Sequence, residues 1–193
     1  MKIIFATNNK NKVEEIKHLS HKNFQILTLQ EAGIDIDIPE PHDTLEANAT
    51  EKSSTIYTIT NEAVFSEDTG LEVDALGGAP GVKSARYAGE GRNMQDNIDK
   101  LLQELKDKPT RAAQFRTVVS LIIAGKEYQF QGICKGHITN EMAGTNGFGY
   151  DPVFIPEGSN TTFANMDIAE KNKFSHRKKA VQQLIDFLNA YQA

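Results

Sequence analysis

The fold class is set by residues 2–29, which read KIIFATNNKNKVEEIKHLSHKNFQILTL. Residues 2–7 are rich in β-branched and aromatic side chains and end at Asn8-Asn9, which predicts a buried strand followed by a turn. Apolar side chains then recur at helical spacing at Val13, Ile16 and Leu19. Residues 24–29 predict a second strand, and two strands joined through a helix are typical of a parallel pair in an α/β fold.

Three later segments have the signals of helices. Asp43 and Glu46 form a capping-box pattern, which predicts a helix that begins there and continues through Ile56. Residues 94–105 carry apolar side chains at the spacing of an amphipathic helix. The apolar stripe at residues 181–188 predicts a last helix near the end of the chain.

Strand-like runs in the middle of the chain predict a hairpin and an acidic turn. Residues 113–123 and 127–134 are separated by a short segment that contains glycine, which predicts a hairpin within one sheet. Residues 63–66 and 71–74 predict two short strands on either side of Glu67-Asp68-Thr69-Gly70. This prediction places two carboxylates at the end of a strand.

Composition and charge restrict the class of protein. The 193 residues carry 21 Lys and Arg against 26 Asp and Glu, a net charge of −5, and one Cys, which excludes an internal disulfide. A mildly acidic chain is not a nucleic-acid coat, since such proteins neutralise phosphates with a basic face. With no apolar run of about 18 residues and no signal-like start, the sequence predicts one soluble, cytoplasmic domain over residues 1–193 that binds neither nucleic acid nor membrane.

Two polar segments have the chemistry of a phosphate and metal site. Residues 7–12 lie at a strand-to-helix turn, where helix N–H groups and lysines bind phosphate; a solvated polar turn is the alternative. Glu67 and Asp68, with Glu40 in an earlier loop, are carboxylates of the kind that hold Mg²⁺ or deprotonate an attacking water. The alternative for this acidic pair is a solvated turn.

Two further segments have the chemistry of a base site. In Phe148-Gly149-Tyr150-Asp151 the glycine permits close approach, and we expect Tyr150 in the core, Phe148 against a ligand and Asp151 as an acceptor for base N–H groups. Residues 171–179 place five cations and a histidine before the last helix, although a helix N-terminus disfavours positive side chains. This conflict predicts that Lys171, His176 and Arg177 face a ligand, with Lys171 donating to phosphate and the other two to a base.

Taken in order, these segments resemble the inosine triphosphate pyrophosphatase family, also called the XTP/dITP diphosphatases. The resemblance extends from Lys2 to about Leu188 and rests on six motifs: Ala6-Thr7-Asn8-Asn9-Lys10-Asn11-Lys12, Glu67-Asp68-Thr69-Gly70-Leu71, Leu76-Gly77-Gly78-Ala79-Pro80-Gly81, Ser84-Ala85-Arg86-Tyr87, Gly147-Phe148-Gly149-Tyr150-Asp151-Pro152 and Ser175-His176-Arg177. It implies a mixed α/β fold with an elongated, twisted central sheet flanked by helices, in two lobes with a cleft between them.

The resemblance also implies an activity. Members of this family are Mg²⁺-dependent hydrolases that convert XTP, ITP and dITP to the monophosphate and pyrophosphate, which keeps deaminated purines out of DNA and RNA. The usual assembly is a homodimer. For this chain the expected partners are therefore a purine nucleoside triphosphate, one or more Mg²⁺ ions and a second copy of itself.

The residue roles follow from the same resemblance. Asp68 matches the acid that accepts a proton or binds the metal, with Glu67 as the alternative for activating the water. Glu40 matches a metal-binding glutamate, but Pro41 follows it where the family often has Thr-Gly, so Asp43 and Glu46 are alternative ligands. The remaining matches are substrate contacts: Thr7, Asn8, Asn9, Lys10, Asn11, Lys12, Lys52, Thr69, Phe148, Gly149, Tyr150, Asp151, Lys171, His176 and Arg177.

Two other interpretations remain open. The Maf-like nucleotide pyrophosphatases have a similar two-lobed fold and act on dTTP, UTP or modified pyrimidine nucleotides. The Ser175-His176-Arg177 and Phe148-Gly149-Tyr150-Asp151 segments argue against them. A sensor that binds nucleotides without turnover is the second alternative, and Glu67, Asp68 and the lysines argue against it.

Overall fold

The computed structural model describes residues 1–17 and 24–191. Its strands are β1 (Lys2–Phe5), β2 (Gln25–Thr28), β3 (Val64–Val73), β4 (Pro80–Gly81), β5 (Ala112–Ile123), β6 (Lys126–Ile138) and β7 (Phe154–Pro156). Its helices are α1 (Lys10–Lys17), α2 (Leu45–Thr60), α3 (Met94–Glu104), α4 (Ile168–Lys171) and α5 (His176–Ala190). Leu19, which contributed to the predicted first helix, lies outside the described residues.

The strands form a mixed sheet in the order β2-β1-β3-β5-β6-β7, and β4 pairs with β3. β1 is parallel to both β2 and β3, with Ile3 opposite Ile26 and Ile4 opposite Val64, which confirms the predicted parallel pair. β5 and β6 are joined by Ala124 at φ 48° and Gly125 at φ 74°. Two positive φ angles are typical of a type I′ hairpin turn, so the predicted hairpin is also confirmed.

The chain divides into two compact units. The first consists of Met1–Asp68, Thr117–Gly132 and Arg177–Ala193, and the second of Thr69–Arg116 and Ile133–His176. β3, β5 and β6 therefore each contribute residues to both units. Over the described stretches 1–17 and 24–191, no helix is long and apolar enough to cross a membrane.

In the first unit, alternate residues of a strand enter different hydrophobic clusters. Phe5 of β1 and Phe65 of β3 stack with ring centroids 4.5 Å apart, in the cluster that contains Leu184 of α5. Val64, the neighbour of Phe65, lies instead in the cluster with Ile56 of α2. Because strand side chains alternate, β3 presents its odd-numbered residues to α5 and its even-numbered residues to α2 in this unit.

The second unit has a separate core. Ile98 and Leu101 of α3 are fully buried there, as the helical spacing of residues 94–105 predicts. Phe115 contacts the edge of Phe154, with ring centroids 4.7 Å apart. Aromatic side chains from β5 and β7, the two neighbours of β6 in the sheet, thus meet in this core.

Two predictions about element boundaries are wrong. Residues 63–66 and 71–74 are not separate strands, because β3 is continuous and the acidic segment lies inside it. Gly70 suggested a turn, but its role is to let the backbone of β4 approach β3 closely. A Cβ at this position would lie 2.6 Å from the Gly81 oxygen of β4. The cap of α2 is Thr44, which accepts the Ala47 N–H, and not Asp43.

Gly136 explains why β6 extends beyond the predicted residue 134. Gly136 lies opposite Pro156 of β7, and a Cβ at this position would be 2.2 Å from the Ile155 oxygen. The absence of a side chain therefore lets the last residues of β6 pair with β7.

We expect Gly136→Ala to lower the free energy of unfolding by at least about 2 kcal/mol, since the added methyl group must displace the β7 backbone. Gly91→Ala is the matched control, because a Cβ there meets nothing within 4 Å. Urea unfolding followed by circular dichroism measures both variants. If Gly136→Ala is as stable as the control, the β6–β7 register is wrong.

Candidate active site

The turn after β1 fixes the start of α1. The side-chain oxygen of Asn9 accepts the N–H of Lys12 at 3.2 Å, so Asn9 caps the helix. The Asn9 N–H donates to Thr7 Oγ1 at 3.2 Å, and the Asn8 amide donates to the Ile36 carbonyl at 2.8 Å. These bonds hold the helix N-terminus, with its partial positive charge, in an orientation suited to an anion.

The predicted phosphate segment lies together at this helix start. Lys10 and Asn11 are exposed in the first turn of α1, whereas Lys12 is half-buried. An open cavity of about 980 Å³ borders the turn, and its lining includes Thr7, Asn8 and Lys10. The same lining carries three acids, Glu14, Glu31 and Asp35, and it does not include Lys12 or Asp68. The cavity therefore borders the helix start from the side of β2 and is not itself a basic pocket.

Glu67 and Asp68 are adjacent on β3 and face opposite sides of the sheet. Glu67 faces α1 and α5, where its Oε1 accepts from Lys12 Nζ at 3.0 Å and from Arg177 Nε at 3.1 Å. Asp68 faces α2, where its Oδ1 accepts from Lys52 Nζ at 3.0 Å. The two candidates for activating a water are thus chemically distinct, and neither is a solvated acid, because both are buried.

Lys52 joins two carboxylates on the α2 side of β3. Its ammonium donates to Asp68 and also to Glu40 Oε1 at 2.5 Å. Burial lowers the pKa of Lys52, but the charges of Asp68 and Glu40 outweigh it, so the net change raises this pKa. Burial also raises the pKa of Asp68. The positive charges of Lys52 and Lys12 lower this pKa by a smaller amount, so it stays above its usual value.

The segment that carries Glu40 is held against α2. The Asn48 side chain accepts the His42 N–H at 2.9 Å and donates to the His42 carbonyl at 3.0 Å. This two-way contact and the Lys52 ion pair place Glu40 beside Asp68. Glu40 and Asp68 both bind the Lys52 ammonium, and the choice of Glu40 over Asp43 and Glu46 as the second ligand stays a prediction.

The chemistry of this donor set fits Mg²⁺. Within residues 1–17 and 24–191 there is no group of three or more His, Cys, Asp or Glu side chains arranged to hold a metal. Glu40 and Asp68 instead supply two carboxylates that converge on one ammonium. Mg²⁺ commonly binds one or two carboxylates and completes its coordination with substrate phosphates and water.

In the second unit, Asp151 organises the turn at residues 147–151. Its Oδ2 accepts the Phe148 N–H at 2.9 Å and the Lys171 ammonium at 2.7 Å. Gly147 has φ 75°, and a Cβ there would lie 2.0 Å from the same oxygen. The predicted role of Asp151 as an acceptor for a base stays a prediction, and the structure adds a local role in shaping the turn.

The two aromatic residues of this turn differ in burial. Tyr150 is buried and its hydroxyl donates to the Ser84 carbonyl at 2.8 Å, which confirms its predicted place in the core. Phe148 is only half-buried, and the Lys171 ammonium lies 5.2 Å from its ring centroid. An aromatic face and a cation are therefore adjacent, and contact of Phe148 with a ligand stays a prediction.

His176 and Arg177 begin α5 and belong to different units. His176 is buried and stacks on Phe115, with ring centroids 4.7 Å apart. The Arg177 guanidinium binds Glu67 through Nε and Glu15 through Nη1. Burial lowers the pKa of Arg177, but the two carboxylates outweigh it and raise the pKa above its usual range.

The predicted residues therefore form separate groups. Residues 7–12, Glu40, Lys52, Asp68 and Arg177 lie in the first unit, and the other predicted contacts lie in the second: Thr69, Phe148, Gly149, Tyr150, Asp151, Lys171 and His176. Glu15, which binds Arg177, belongs to none of the predicted site segments. The sequence feature that could have indicated a role for it is its three-residue spacing from Lys12, which puts both side chains on one face of α1.

Comparison with known proteins gives consistent matches over the whole chain. The model of the Ham1 family matches residues 3–187. A protein of Flavobacterium johnsoniae named dITP/XTP pyrophosphatase is 51% identical over 190 residues, which cover 98% of this chain and 99% of that protein. The solved structure of the Staphylococcus aureus Ham1 protein matches with a TM-score of 0.90 at 36% identity, covering 100% of both chains. The solved structure of a HAM1 protein from Coxiella burnetii matches with a TM-score of 0.91 at 33% identity, covering 99% of this chain and 100% of that one.

We expect Gly147→Ala to be less stable than Gly149→Ala by at least about 1 kcal/mol. Both glycines have positive φ, 75° and 63°, so the backbone strain is similar, but only the methyl group at 147 would displace the Asp151 carboxylate. Urea unfolding of the pair measures the difference. Equal midpoints would show that Asp151 does not hold the turn.

Proposed function

The chain belongs to the Ham1 family, and from this premise we propose that it hydrolyses dITP, XTP and ITP to the nucleoside monophosphate and pyrophosphate. The observation that supports the proposal is the grouping in the first unit of Glu40, Lys52 and Asp68 with the anion-binding turn at residues 7–12. Such a reaction removes deaminated purine nucleotides before they enter DNA or RNA. A homodimer, a cytoplasmic location and a single two-lobed domain over residues 1–193 stay predictions.

The proposed reaction is attack of water on the α-phosphorus. A bond forms between the water oxygen and this phosphorus, the bond to the oxygen that bridges the α- and β-phosphates breaks, and the water proton passes to an acceptor. Glu40 and Asp68 would hold Mg²⁺, which when bound neutralises phosphate charge. Lys12 and the N-terminus of α1 would bind the phosphates that leave as pyrophosphate.

Asp68 is the proposed proton acceptor. Burial raises its pKa, which makes the carboxylate a stronger base, while the Lys52 ammonium opposes this rise and orients the carboxylate. Glu67 is less suited to this role, because Lys12 and Arg177 both bind its Oε1 on the opposite face of β3. Glu67 also lies on the face of β3 away from Lys52, the cation that Asp68 shares with Glu40.

The second unit supplies most of the proposed base contacts. Phe148 would stack on the purine, and His176 and Arg177 at the start of α5 stay the predicted donors to a 6-oxo group, whereas Lys171 stays the predicted donor to phosphate. Adenine carries a donor amine at that position and would leave these donors unpaired. An unpaired donor in a closed site is a substantial penalty, which accounts for rejection of ATP.

The proposal is tested by pyrophosphate release from dITP, XTP, ITP, ATP, GTP and dTTP, each with Mg²⁺ and with a chelator. We expect kcat/KM for dITP, XTP and ITP to exceed that for ATP by at least about 100-fold, and only with Mg²⁺. In ¹⁸O-labelled water the label should enter the monophosphate. A preference for dTTP indicates the Maf-like alternative, binding without turnover indicates a sensor, and equal turnover of all six contradicts the proposal.

Asp68→Asn is expected to lower kcat by at least about 100-fold, because the amide neither accepts the proton nor binds the cation as a carboxylate does. Asp74→Asn is the control, since Asp74 is an exposed acid that follows the end of the same strand. Steady-state assays with dITP and Mg²⁺ compare the two variants. Near-full turnover by Asp68→Asn would remove Asp68 from the proposed mechanism.

A further inference from the structure

Three buried serines connect α2 to the sheet in the first unit. Ser53 follows Lys52 in α2, Ser66 lies on β3 and Ser120 lies on β5. All three are fully buried, and a buried hydroxyl group needs a hydrogen-bond partner. We call Ser53, Ser66 and Ser120 the serine anchors of α2.

The bonds of the serine anchors lie on either side of Lys52 along α2. Ser66 Oγ donates to the carbonyl of Ala49, which precedes Lys52, at 2.5 Å. Ser53, which follows Lys52, has its Oγ 2.7 Å from Ser120 Oγ. The helix is therefore bonded to β3 before the lysine and to β5 after it.

Glu127 of β6 sets the direction of the bond between Ser53 and Ser120. Its Oε1 accepts from Ser120 at 2.7 Å, from Thr50 at 2.6 Å and from Gln129 at 3.1 Å. Burial raises the pKa of Glu127, but these three bonds outweigh it and leave the pKa below its usual value. Because a carboxylate is the stronger acceptor, Ser120 donates to Glu127. The Ser53 hydroxyl then donates to Ser120, which is closer than the Thr50 carbonyl at 3.1 Å.

Apolar packing does little to fix the rotation of α2 near Lys52. The large apolar side chains that α2 buries are Leu45 and Ile56, which lie about two turns and about one turn from Lys52. Hydrophobic contacts are not directional, whereas hydrogen bonds fix a distance and an angle. The serine anchors therefore set the position from which the Lys52 ammonium reaches Asp68 at 3.0 Å and Glu40 at 2.5 Å.

We propose that Ser53 and Ser120, together with Glu127, are positioning residues that act through Lys52. The inference rests on the proposed function, in which Lys52 keeps the carboxylates of Glu40 and Asp68 side by side. A displaced ammonium would disturb that pair, while the anion-binding turn at residues 7–12 would keep its own contacts. The effect therefore falls on the chemical step more than on nucleotide binding.

The first test compares two neighbouring serines of α2 in dITP hydrolysis at saturating Mg²⁺. Ser53→Ala removes the bond to β5 without weakening the helix, because alanine is the better helix former. We expect its kcat to fall about fivefold or more and its KM to stay within about twofold of the wild type. Ser54→Ala is the matched control, since the Ser54 hydroxyl donates to carbonyls of α2 itself, and its kcat should stay within about twofold.

The second test asks whether the two serines act through their shared bond. Ser120→Ala and the double variant complete a mutant cycle with Ser53→Ala. Because either single change removes the same bond, we expect kcat of the double variant to lie within about twofold of the lower single variant. Should Ser120→Ala not fold, Glu127→Ala replaces it in the cycle, since Glu127 is an exposed residue.

The third test measures the position of Lys52 without any turnover. The Lys52 side chain is 7% exposed, so acetic anhydride should modify it slowly in the nucleotide-free wild type. Peptide mass spectrometry gives the rate of acetylation at this residue. We expect that rate to rise about threefold or more in Ser53→Ala and to stay unchanged in Ser54→Ala.

Equal kcat values in Ser53→Ala and Ser54→Ala would overturn the inference. Losses that multiply in the double variant would also overturn it, as would a lowered kcat without faster acetylation of Lys52. Failure of the proposed function is distinguishable, because the wild-type chain would then not release pyrophosphate from dITP. In that case the acetylation rates still decide whether the serines hold Lys52 in place.

Discussion

Adjacent residues of a β-strand point to opposite faces, and on β3 this rule separates two acids that the sequence presents as one pair. Glu67 is directed to α1 and α5, and Asp68 to α2. Each acid is buried, so each requires cations from the elements on its own side. The positions of α1, α2 and α5 against β3 in the first unit are consistent with this requirement: α1 supplies Lys12, α2 supplies Lys52 and α5 supplies Arg177.

The separation gives the two acids different chemistry. Asp68 shares one cation with Glu40, which places two carboxylates together for a metal, and burial raises the pKa of Asp68, which suits proton transfer. Glu67 binds two cations, Lys12 and Arg177, and therefore suits a role in holding them in position. These ion pairs fix the orientation of the charges that would meet a triphosphate, and electrostatic stabilisation by charges oriented in this way requires little rearrangement during a reaction.

The parts of the fold that depend on local patterns were predictable. The parallel pair of β1 and β2, the β5–β6 hairpin and α3 follow from periodicity and turn residues within short windows. The continuous strand β3 was not predictable, because its acids and Gly70 have the local signals of a turn. The contacts that make this segment a strand are with residues distant in sequence. Arg177 lies 110 positions from Glu67, so its ion pair with that residue could not be derived from spacing. The candidate residues were identified from motifs, but their division between two faces of β3 required coordinates.

The central claim is that the chemical step takes place on the Asp68 face of β3, and that Glu67 contributes through orientation. Rapid-quench measurement of a single turnover, at saturating dITP and Mg²⁺, isolates this step from substrate binding. We predict that the rate falls at least about 100-fold in Asp68→Asn and stays within about tenfold of the wild type in Glu67→Gln. A loss in Glu67→Gln as large as that in Asp68→Asn would contradict the account.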